Sequence, residues 1–412
     1  MAISIICRNS SKRLSQPGVN FKTIVLTFLV IAAFISCRQP SEISYSGPIE
    51  IKKGGVYTGN YKSDDSNIPA ITVSTYDSVE ITGCNIVSAG IGIKAFGGSR
   101  LTIHHNNISG LPPTGNQWGR ALDDYHPQFL VFENNNVHHT GGLVIDHSDE
   151  NTKSAVIRFN KFINTDNRKG DFSVGDHRAA ILFNSVLPIL GEISWNYFHN
   201  ELDSSSIEDN INLGNSGGSK DSSFLIHDNF IWGAYPSPAT SGHFTGSGIS
   251  IEGEPGHNAF NNVSQYIKIF NNQVISTCNA GINISHGHDI TAQFNTIISS
   301  GMYPNGDKSD RFWGGCAIWN PSKLSPDVFK DITIKNNTIG YVRPGMNVPL
   351  PNRQDYVVVP GSPINVQPGD NTALPNPITL QTELDQVPIW EKKLADNKII
   401  IGNTTSNGKP MK

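Results

Sequence analysis

A six-residue motif recurs nine times along the chain, and this repeat constrains the fold more than any other feature of the sequence. The motif reads aliphatic, two variable residues, asparagine, one variable residue, aliphatic, as in IHHNNI, ISWNYF, IHDNFI and IKNNTI. Spacings of 22 to 43 residues between copies are typical of coils with constant strands and variable loops. The fourth positions are Cys84, Asn106, Asn135, Asn160, Asn196, Asn229, Asn272, Asn295 and Asn337.

Asparagine suits this pattern because it tolerates a left-handed backbone at a tight bend, and its amide can hydrogen-bond to the asparagine of the next coil. We therefore predict an asparagine ladder. A second strand follows each ladder turn, and its alternating aliphatic residues are predicted to point inwards. These pairs are Ile91 and Ile93, Ile181 and Phe183, Ile211 and Leu213, Ile249 and Ile251, and Ile282 and Ile284. The pattern predicts an all-β protein that is a single parallel β-helix, a solenoid.

The repeat region resembles a known superfamily. From about Ile49 to Val342 the sequence is similar to the pectate-lyase-like parallel β-helix proteins, and GGVYTGN (Gly54 to Asn60) resembles their N-terminal coils. The resemblance implies a right-handed coil. It concerns the fold-level repeat alone, because no catalytic motif of the superfamily matches.

The sequence divides into four segments. Residues 1–36 are predicted to be a lipoprotein signal peptide, residues 37–46 a linker, residues 47–342 the β-helix, and residues 343–412 an extended segment with a short helix. This helix is predicted from Pro388 to about Asn397, with Trp390 and Leu394 on one side. We expect it to cover the C-terminal end of the stack, whose bare strand edge would otherwise promote aggregation.

The N-terminal segment predicts export. A basic stretch precedes the apolar run Thr23 to Ile35, which has the length of a signal-peptide core and is short for a membrane span. The following residues up to Cys37 resemble the lipobox of bacterial lipoproteins, so Cys37 is the predicted lipidation site. The expected location is the outer membrane or cell surface, through the lipid anchor only, and the alternative is a periplasmic or secreted protein.

Composition excludes some partners. Charged residues make up 16% of the chain and the net charge is -4, which does not favour nucleic-acid binding. The cysteines of the body, Cys84, Cys278 and Cys316, are too scattered for a disulfide framework or a zinc site and are predicted to be small buried residues. We expect a monomer.

Long insertions flank the second strand of several coils on both sides, so this strand is predicted to form the floor of a trough. The insertions before it are residues 110–119, 165–177, 201–207, 232–246 and 299–315, and those after it are residues 215–223, 253–265 and 321–330. Loops on a rigid scaffold commonly carry binding and catalysis. Aromatic residues of these walls are expected to contact sugar rings. They include Trp118, Trp232, Tyr235 and Trp313.

Aligning the coils on their inward aliphatic residues places polar residues in one outward column of the floor. The column contains Lys94, Asp124, Asp146, Asn184, Gly214, Glu252, Ser285 and Asn320. Histidines beside carboxylates on one face suggest a functional site. The predicted catalytic residues are His147, Asp146, His126, Asp124, Lys94 and Arg178. The predicted substrate-binding residues, besides the aromatic ones, are Glu252, Glu254, His286 and His288.

The leading hypothesis is a polysaccharide lyase that acts by β-elimination on an extracellular, uronic-acid-containing polysaccharide. This reaction needs a base, here His147 or His126, and a cation that neutralises the sugar carboxylate, here Lys94 or Arg178. Calcium is the expected cofactor, with oxygen ligands from Asp124, Asp146 or Glu252. One alternative is a two-carboxylate glycoside hydrolase that uses Glu252 with Glu254, or Asp124 with Asp146. The other is a non-catalytic glycan-binding or surface-structural lipoprotein.

Overall fold

The predicted solenoid is confirmed. The structure is a computed structural model, and it describes residues 43–112, 119–166, 179–240, 246–253, 256–346, 352–359 and 367–403. Within these residues the strands form three parallel sheets of 11 strands each, and every coil contributes one strand to each sheet. Sheet 1 holds the first strand of every coil, sheet 2 the second and sheet 3 the third.

The strands follow one another in regular order along the chain. Coils 1 to 4 contain β1 (Ile49–Ile51), β2 (Gly55–Tyr57), β3 (Asn60–Ser63), β4 (Ile71–Val73), β5 (Ser78–Thr82), β6 (Asn85–Ser88), β7 (Ile91–Phe96), β8 (Arg100–His104), β9 (Asn107–Gly110), β10 (Arg120–Tyr125), β11 (Phe129–Glu133) and β12 (Asn136–His138). Coils 5 to 8 contain β13 (Leu143–Asp146), β14 (Ser154–Arg158), β15 (Lys161–Ile163), β16 (Ile181–Asn184), β17 (Leu190–Ser194), β18 (Tyr197–His199), β19 (Asp209–Gly214), β20 (Phe224–His227), β21 (Phe230–Ala234), β22 (Ser247–Glu252), β23 (Gln265–Phe270) and β24 (Gln273–Thr277). Coils 9 to 11 contain β25 (Ala280–Ile284), β26 (His288–Gln293), β27 (Thr296–Ser299), β28 (Gly314–Ile318), β29 (Lys330–Lys335), β30 (Thr338–Tyr341), β31 (Tyr356–Val358), β32 (Gln367–Gly369) and β33 (Thr372–Ala373).

The asparagine ladder is confirmed between sheets 2 and 3. Asn196 and Asn229 are buried, and the Asn196 Nδ2 atom donates to Asn229 Oδ1 at 3.1 Å. The same Oδ1 atom also accepts from the Asn196 backbone N–H, at 3.0 Å. The ladder continues one coil beyond its predicted end, because Asn337 donates to Asn371 at 2.8 Å. Buried amides that satisfy one another in this way join each coil to the next.

The conformational reason for the ladder differs from the expected one. The left-handed backbone belongs to the residue before each ladder asparagine, for example His105 with φ 56, Phe159 with φ 60 and Trp195 with φ 55. Such a conformation costs a non-glycine residue about 1–2 kcal/mol. The asparagine offsets this cost by donating to backbone carbonyls at the bend, as Asn196 does to the carbonyl of Ile157 at 2.9 Å.

The β-helix extends past the predicted boundary at Val342. Strands β31 to β33 continue all three sheets as an eleventh coil. Arg353 is buried beside this coil, where its guanidinium pairs with Asp355 at 2.8 Å and donates to the carbonyl of Ile339 at 2.9 Å. The proline-rich segment that follows the last copy of the motif therefore includes strands of the stack.

Two helices follow, α1 (Leu380–Leu384) and α2 (Gln386–Asn397). Their expected position over the C-terminal end of the stack is wrong, because Trp390 of α2 packs on the outer face of sheet 3. It is buried against a cluster that contains Phe230 and Trp232. The apolar side of the helix thus covers aromatic residues that the sheet turns outwards.

No helix in the ranges given above is long and apolar enough to cross a membrane. The predicted signal peptide and Cys37 lie outside the described residues. Cys84, Cys278 and Cys316 are buried, which confirms their prediction.

Candidate functional site

The strands predicted to form the trough floor, such as those that begin at Ile91 and Ile181, are the first strands of their coils. The outer face of sheet 1 therefore carries the predicted floor. Its strand register brings six side-chain positions into one outward column, which we call the floor column. Asp146 and Glu252 are separated in it by three coil steps, roughly 14 Å at the inter-strand spacing, as predicted. The column contains Phe96, Tyr125, Asp146, Asn184, Gly214 and Glu252.

Two predicted members of the column lie elsewhere. Lys94 faces outwards one column away, in register with Asp123, because coil 3 is displaced by two residues from the expected alignment. Asp124 points inwards, in register with Ala95 and Ile145, and is buried in the interior of the coil. β10 keeps the period-two alternation, so Leu122 and Asp124 occupy its inward positions and Asp123 and Tyr125 its outward ones.

The interior position of Asp124 changes its chemistry. The Ser99 hydroxyl donates to Asp124 Oδ1 at 2.7 Å, and Asp124 Oδ2 has no hydrogen-bond partner. Burial raises the pKa of this carboxyl group to about 7, against the lowering effect of the Ser99 hydrogen bond. Asp124 therefore has no access to a ligand in the trough. Because Asp124 and Asp146 lie on opposite faces of the sheet, they cannot share a calcium ion or a glycosidic bond.

A histidine and an aspartate meet on the exposed side of coil 5. His147 Nδ1 lies 2.8 Å from Asp146 Oδ1, which also accepts a hydrogen bond of 2.9 Å from Asn184 Nδ2. The His147 side chain is 48% exposed. The carboxylate orients the ring through Nδ1, so Nε2 is the nitrogen that faces solvent and can exchange a proton.

Two further rings accompany this pair. Tyr125 stacks on His126 with a centroid distance of 4.1 Å, and it lies 5.4 Å from the His147 ring. The centroids of His126 and His147 are 6.1 Å apart. Three of the predicted catalytic residues, His126, Asp146 and His147, are thus brought together, and Tyr125 occupies the column position expected for Asp124.

Two positively charged side chains lie on coils 3 and 4, which precede the coil of His147. Arg120 Nη1 pairs with Asp123 Oδ2 at 2.8 Å, on the outer side of coil 4. Lys94 Nζ lies 4.9 Å from the centre of the Phe96 ring on coil 3. Sequence reasoning missed Arg120 because it precedes the predicted strand core, and because a regular strand would place residues 120 and 123 on opposite faces.

A second polar cluster surrounds Glu252 on coils 7 and 8. Asn212 Nδ2 contacts both Asp209 Oδ2, at 3.0 Å, and Glu252 Oε1, and the Asn212 Oδ1 atom is buried without a partner. Ser250 donates to Glu252 Oε2 at 3.4 Å. Burial, followed by the charges of Glu252 and Glu208, raises the pKa of Asp209 well above its usual range. The sequence placed Asp209 near the trough edge but did not predict its contact with Asn212, because strand alternation would turn Asp209 to the side of Ile211.

The two histidines assigned to this cluster are instead structural. His286 is buried, and its Nε2 atom lies 2.9 Å from the His257 carbonyl oxygen. His288 is also buried, stacks on Phe260 at 3.8 Å and lies 2.9 Å from the Phe260 carbonyl oxygen. Both rings therefore hold the loop after β22 and are closed to substrate, so their substrate-binding prediction is wrong.

Most of the described aromatic residues that were predicted to line the trough walls are instead packed within the protein. Trp232 belongs to β21 and is covered by α2, and Tyr235 is buried in the interior core. Trp313 remains half-buried and meets Trp319 edge-to-face at 6.0 Å. Trp118, Arg178 and Glu254 lie outside the described residues.

A comparison with protein families matches residues 47–186 to the right handed beta helix region. The chain is a right-handed parallel β-helix. The Dettilon tailspike protein is 11% identical with a TM-score of 0.44, over 80% of this chain and 61% of that chain. A mannuronic acid specific polysaccharide family 6 lyase from human gut microbiota is 13% identical with a TM-score of 0.36, over 88% of this chain and 91% of that chain. Both likenesses concern the fold alone, and no curated protein matches the sequence.

The floor of this β-helix therefore carries two chemically different regions. Around His147 it offers imidazole and phenol groups near two cationic side chains. Around Glu252 it offers carboxylate and amide oxygens. Within the described residues, no group of three or more histidine, cysteine, aspartate or glutamate side chains is arranged to hold a metal ion.

Proposed function

We propose that the β-helix is a polysaccharide lyase that cleaves a uronic-acid-containing polysaccharide by β-elimination in the trough of sheet 1. The observation that carries the proposal is the pair of His147 and Asp146, at 2.8 Å, on an exposed part of the floor. A histidine that a carboxylate orients, with its other nitrogen facing solvent, is suited to act as a general base.

In this proposal His147 Nε2 takes the proton from the carbon beside the sugar carboxylate. The electron pair of that bond forms the new carbon–carbon double bond, and the glycosidic oxygen leaves with its bonding electrons. His126 and Tyr125, whose rings neighbour His147, are the groups that return a proton to the leaving oxygen. Lys94 supplies positive charge to the anionic chain on coil 3, whereas the guanidinium of Arg120 on coil 4 is shared with Asp123.

The region around Glu252 would then hold the polysaccharide at a distance from the reaction. Three coil steps, roughly 14 Å, is the length of two or three sugar units along the helix axis. Glu252 and Asn212 would also hold calcium, because the unpartnered, buried Asn212 Oδ1 atom lies beside a carboxylate. The ion would neutralise the carboxylate of a bound uronic acid.

The decisive experiment is incubation of the protein with a panel of polysaccharides. The ultraviolet absorbance of unsaturated products and the appearance of reducing ends are measured in parallel, with calcium or with a chelator. Absorbance together with reducing ends supports a lyase. Neither signal, despite binding, supports a non-catalytic glycan-binding protein and overturns the proposal. Calcium binding is tested separately, as a rise in melting temperature that Glu252→Ala should abolish.

A two-carboxylate hydrolase is the second candidate, and the spacing of the buried Asp209 and the half-buried Glu252 favours it. Both carboxylates contact Asn212 Nδ2, so their nearest oxygens are no more than about 6 Å apart, near the separation of retaining glycosidases. This pair replaces the two predicted ones, since Asp124 is in the interior and Glu254 lies outside the described residues. Reducing ends without ultraviolet absorbance would support hydrolysis.

A further inference from the structure

An exposed lysine and an exposed aromatic ring lie together at the N-terminal end of the floor. Phe96 is the first member of the floor column, and its side chain is 53% exposed. Lys94 lies two residues before it on the same strand, with its Nζ atom 4.9 Å from the ring centre. A cation beside the face of an aromatic ring leaves the remaining ammonium N–H groups directed towards solvent or a ligand.

Lys94 has no carboxylate partner among the described residues. Its register neighbour on the next coil is Asp123, which pairs with Arg120 at 2.8 Å. Its neighbour on the preceding coil is Thr72, which carries no charge. The positive charge of Lys94 is therefore not neutralised by the floor around it, in contrast to the charge of Arg120.

The strand register links this position to the proposed reaction site. Phe96 is in register with Tyr125 of coil 4, and Tyr125 with Asp146 of coil 5. The separation is two coil steps, about 10 Å, which is the length of roughly two sugar units. Lys94 is thus too far from His147 to hold the carboxylate of the sugar that reacts.

We propose that Lys94 and Phe96 form a separate subsite that binds a uronic-acid residue about two units from the cleaved bond. The apolar face of the sugar ring stacks on Phe96, and its carboxylate pairs with the Lys94 ammonium. This inference rests on the proposed function and specifies its substrate. The preferred substrate is a block of uronic acids, because a second carboxylate must follow the reacting one within the same chain.

The test is direct binding to the full chain carrying His147→Ala, so that no ligand is cleaved. Polygalacturonate, polymannuronate, polyguluronate, polyglucuronate and dextran are compared by affinity electrophoresis. The di- and tetrasaccharides of the tightest-binding polyuronate are then titrated calorimetrically. We expect the tetrasaccharide to bind at least about tenfold more tightly than the disaccharide, because it alone spans both sites.

Lys94→Met and Phe96→Ala should each remove most of this preference for length, whereas Lys94→Arg and Phe96→Tyr should keep it. Lys268→Met and Phe129→Ala are the matched controls, because both residues are exposed on sheet 2, and they should change nothing. Tetrasaccharide affinity that is unchanged in Lys94→Met and Phe96→Ala would overturn the subsite and leave the proposed function standing. Failure of every polyuronate to bind would overturn both.

Discussion

At the scale of single residues, the direction of a side chain decides its chemistry. Asp124 and Asp146 lie on adjacent strands of sheet 1, yet one is buried in the interior and the other faces the trough. Asp124 keeps its proton up to about pH 7 because its carboxylate would be buried without sufficient partners. Asp146 orients His147 instead. The two aspartates therefore have different roles, one in stability and the other in the proposed reaction.

The buried Asp124 predicts a pH dependence of stability. Its pKa in the folded state, about 7, is raised above the usual value of 3.8, so the folded state binds this proton more tightly than the unfolded state. Its contribution is fully present below pH 3.8 and is lost as the pH rises towards 7, by an amount on the order of 4 kcal/mol. Asp124→Asn should flatten the decline in unfolding free energy over this range. Denaturant titrations at several pH values measure it, with the exposed Asp64→Asn as the control, and an unchanged slope would contradict the burial argument.

His147 and Glu252 should differ in their effects on kinetics. His147→Ala removes the proposed base, and we expect turnover to fall by about 10²–10⁴-fold with substrate binding largely kept. Glu252→Ala should mainly raise KM, because this residue contacts the chain away from the reaction. His105→Ala is the matched control, since His105 shares the left-handed backbone of His147 but lies at the ladder corner. Full activity in both trough variants would show that the floor is an ordinary solvated face.

At the scale of elements, the C-terminal helix is held to sheet 3 by apolar packing and to sheet 2 by charge. Lys393 of α2 pairs with Asp228 at 2.7 Å, and Asp228 pairs with His227 Nδ1 at 2.7 Å. Glu192 lies 3.6 Å from the other nitrogen of the same ring. Burial alone would lower the pKa of His227, but the two carboxylates raise it to about 9. The nearby His227 ring, together with a hydrogen bond from the Ser194 hydroxyl, in turn lowers the pKa of Glu192 to about 2, against the raising effect of burial.

The ion pairs of His227 with Asp228 and Glu192 should stabilise the folded protein only within a limited range of pH. The raised pKa of His227 means that its contribution is fully present below pH 6.5 and is lost as the pH rises through about 9. The lowered pKa of Glu192 means that its contribution is present above pH 4.5 and is lost as the pH falls through about 2. His227→Gln should therefore destabilise the protein most between pH 4.5 and 6.5. Thermal melts across pH measure this, and a destabilisation that persists unchanged above pH 9 would argue against the ion pairs.

At the scale of the whole molecule, the ladder joins coils that otherwise contact only their immediate neighbours. Asn196 lies near the middle of the stack, where it bonds to coils on both sides. Asn196→Ala would leave buried backbone groups without partners, so we expect a loss of about 1–3 kcal/mol in unfolding free energy. Asn85→Ala, at a half-buried outer position, is the control. Equal stability of the two variants would contradict the energetic importance of the ladder.

Export concerns the whole molecule too. We propose that Cys37 becomes the lipidated first residue of the mature protein, as the lipobox resemblance implies. Cys37→Ser should then move the protein from the membrane fraction to the soluble fraction, while Ser36→Ala should leave it in the membrane. Fractionation with immunodetection makes the comparison. Equal solubility of the Cys37→Ser variant and the original protein would refute the anchor.

Short repeated segments were sufficient to predict the repeat architecture. Motifs around Asn106 to Asn337 predict parallel coils and a ladder because each feature depends on a short segment and on the next copy of the same segment. The floor column from Asp146 to Glu252 was predicted for the same reason, since period-two alternation holds in those strands. The buried cysteines also followed from composition and spacing.

Tertiary structure alone decided which polar groups meet. The register between coils 3, 4 and 5 decided that Asp124 lies in the interior, and Asn212 brought the buried Asp209 and Glu252 together. These choices depend on the neighbouring coils, so they cannot be predicted from one segment alone. The loop after β22 covers His286 and His288, and α2 packs on the aromatic outer face of sheet 3 and not on the end of the stack. Such contacts join residues far apart in sequence, and burial of apolar surface selects among them only when the whole stack has formed.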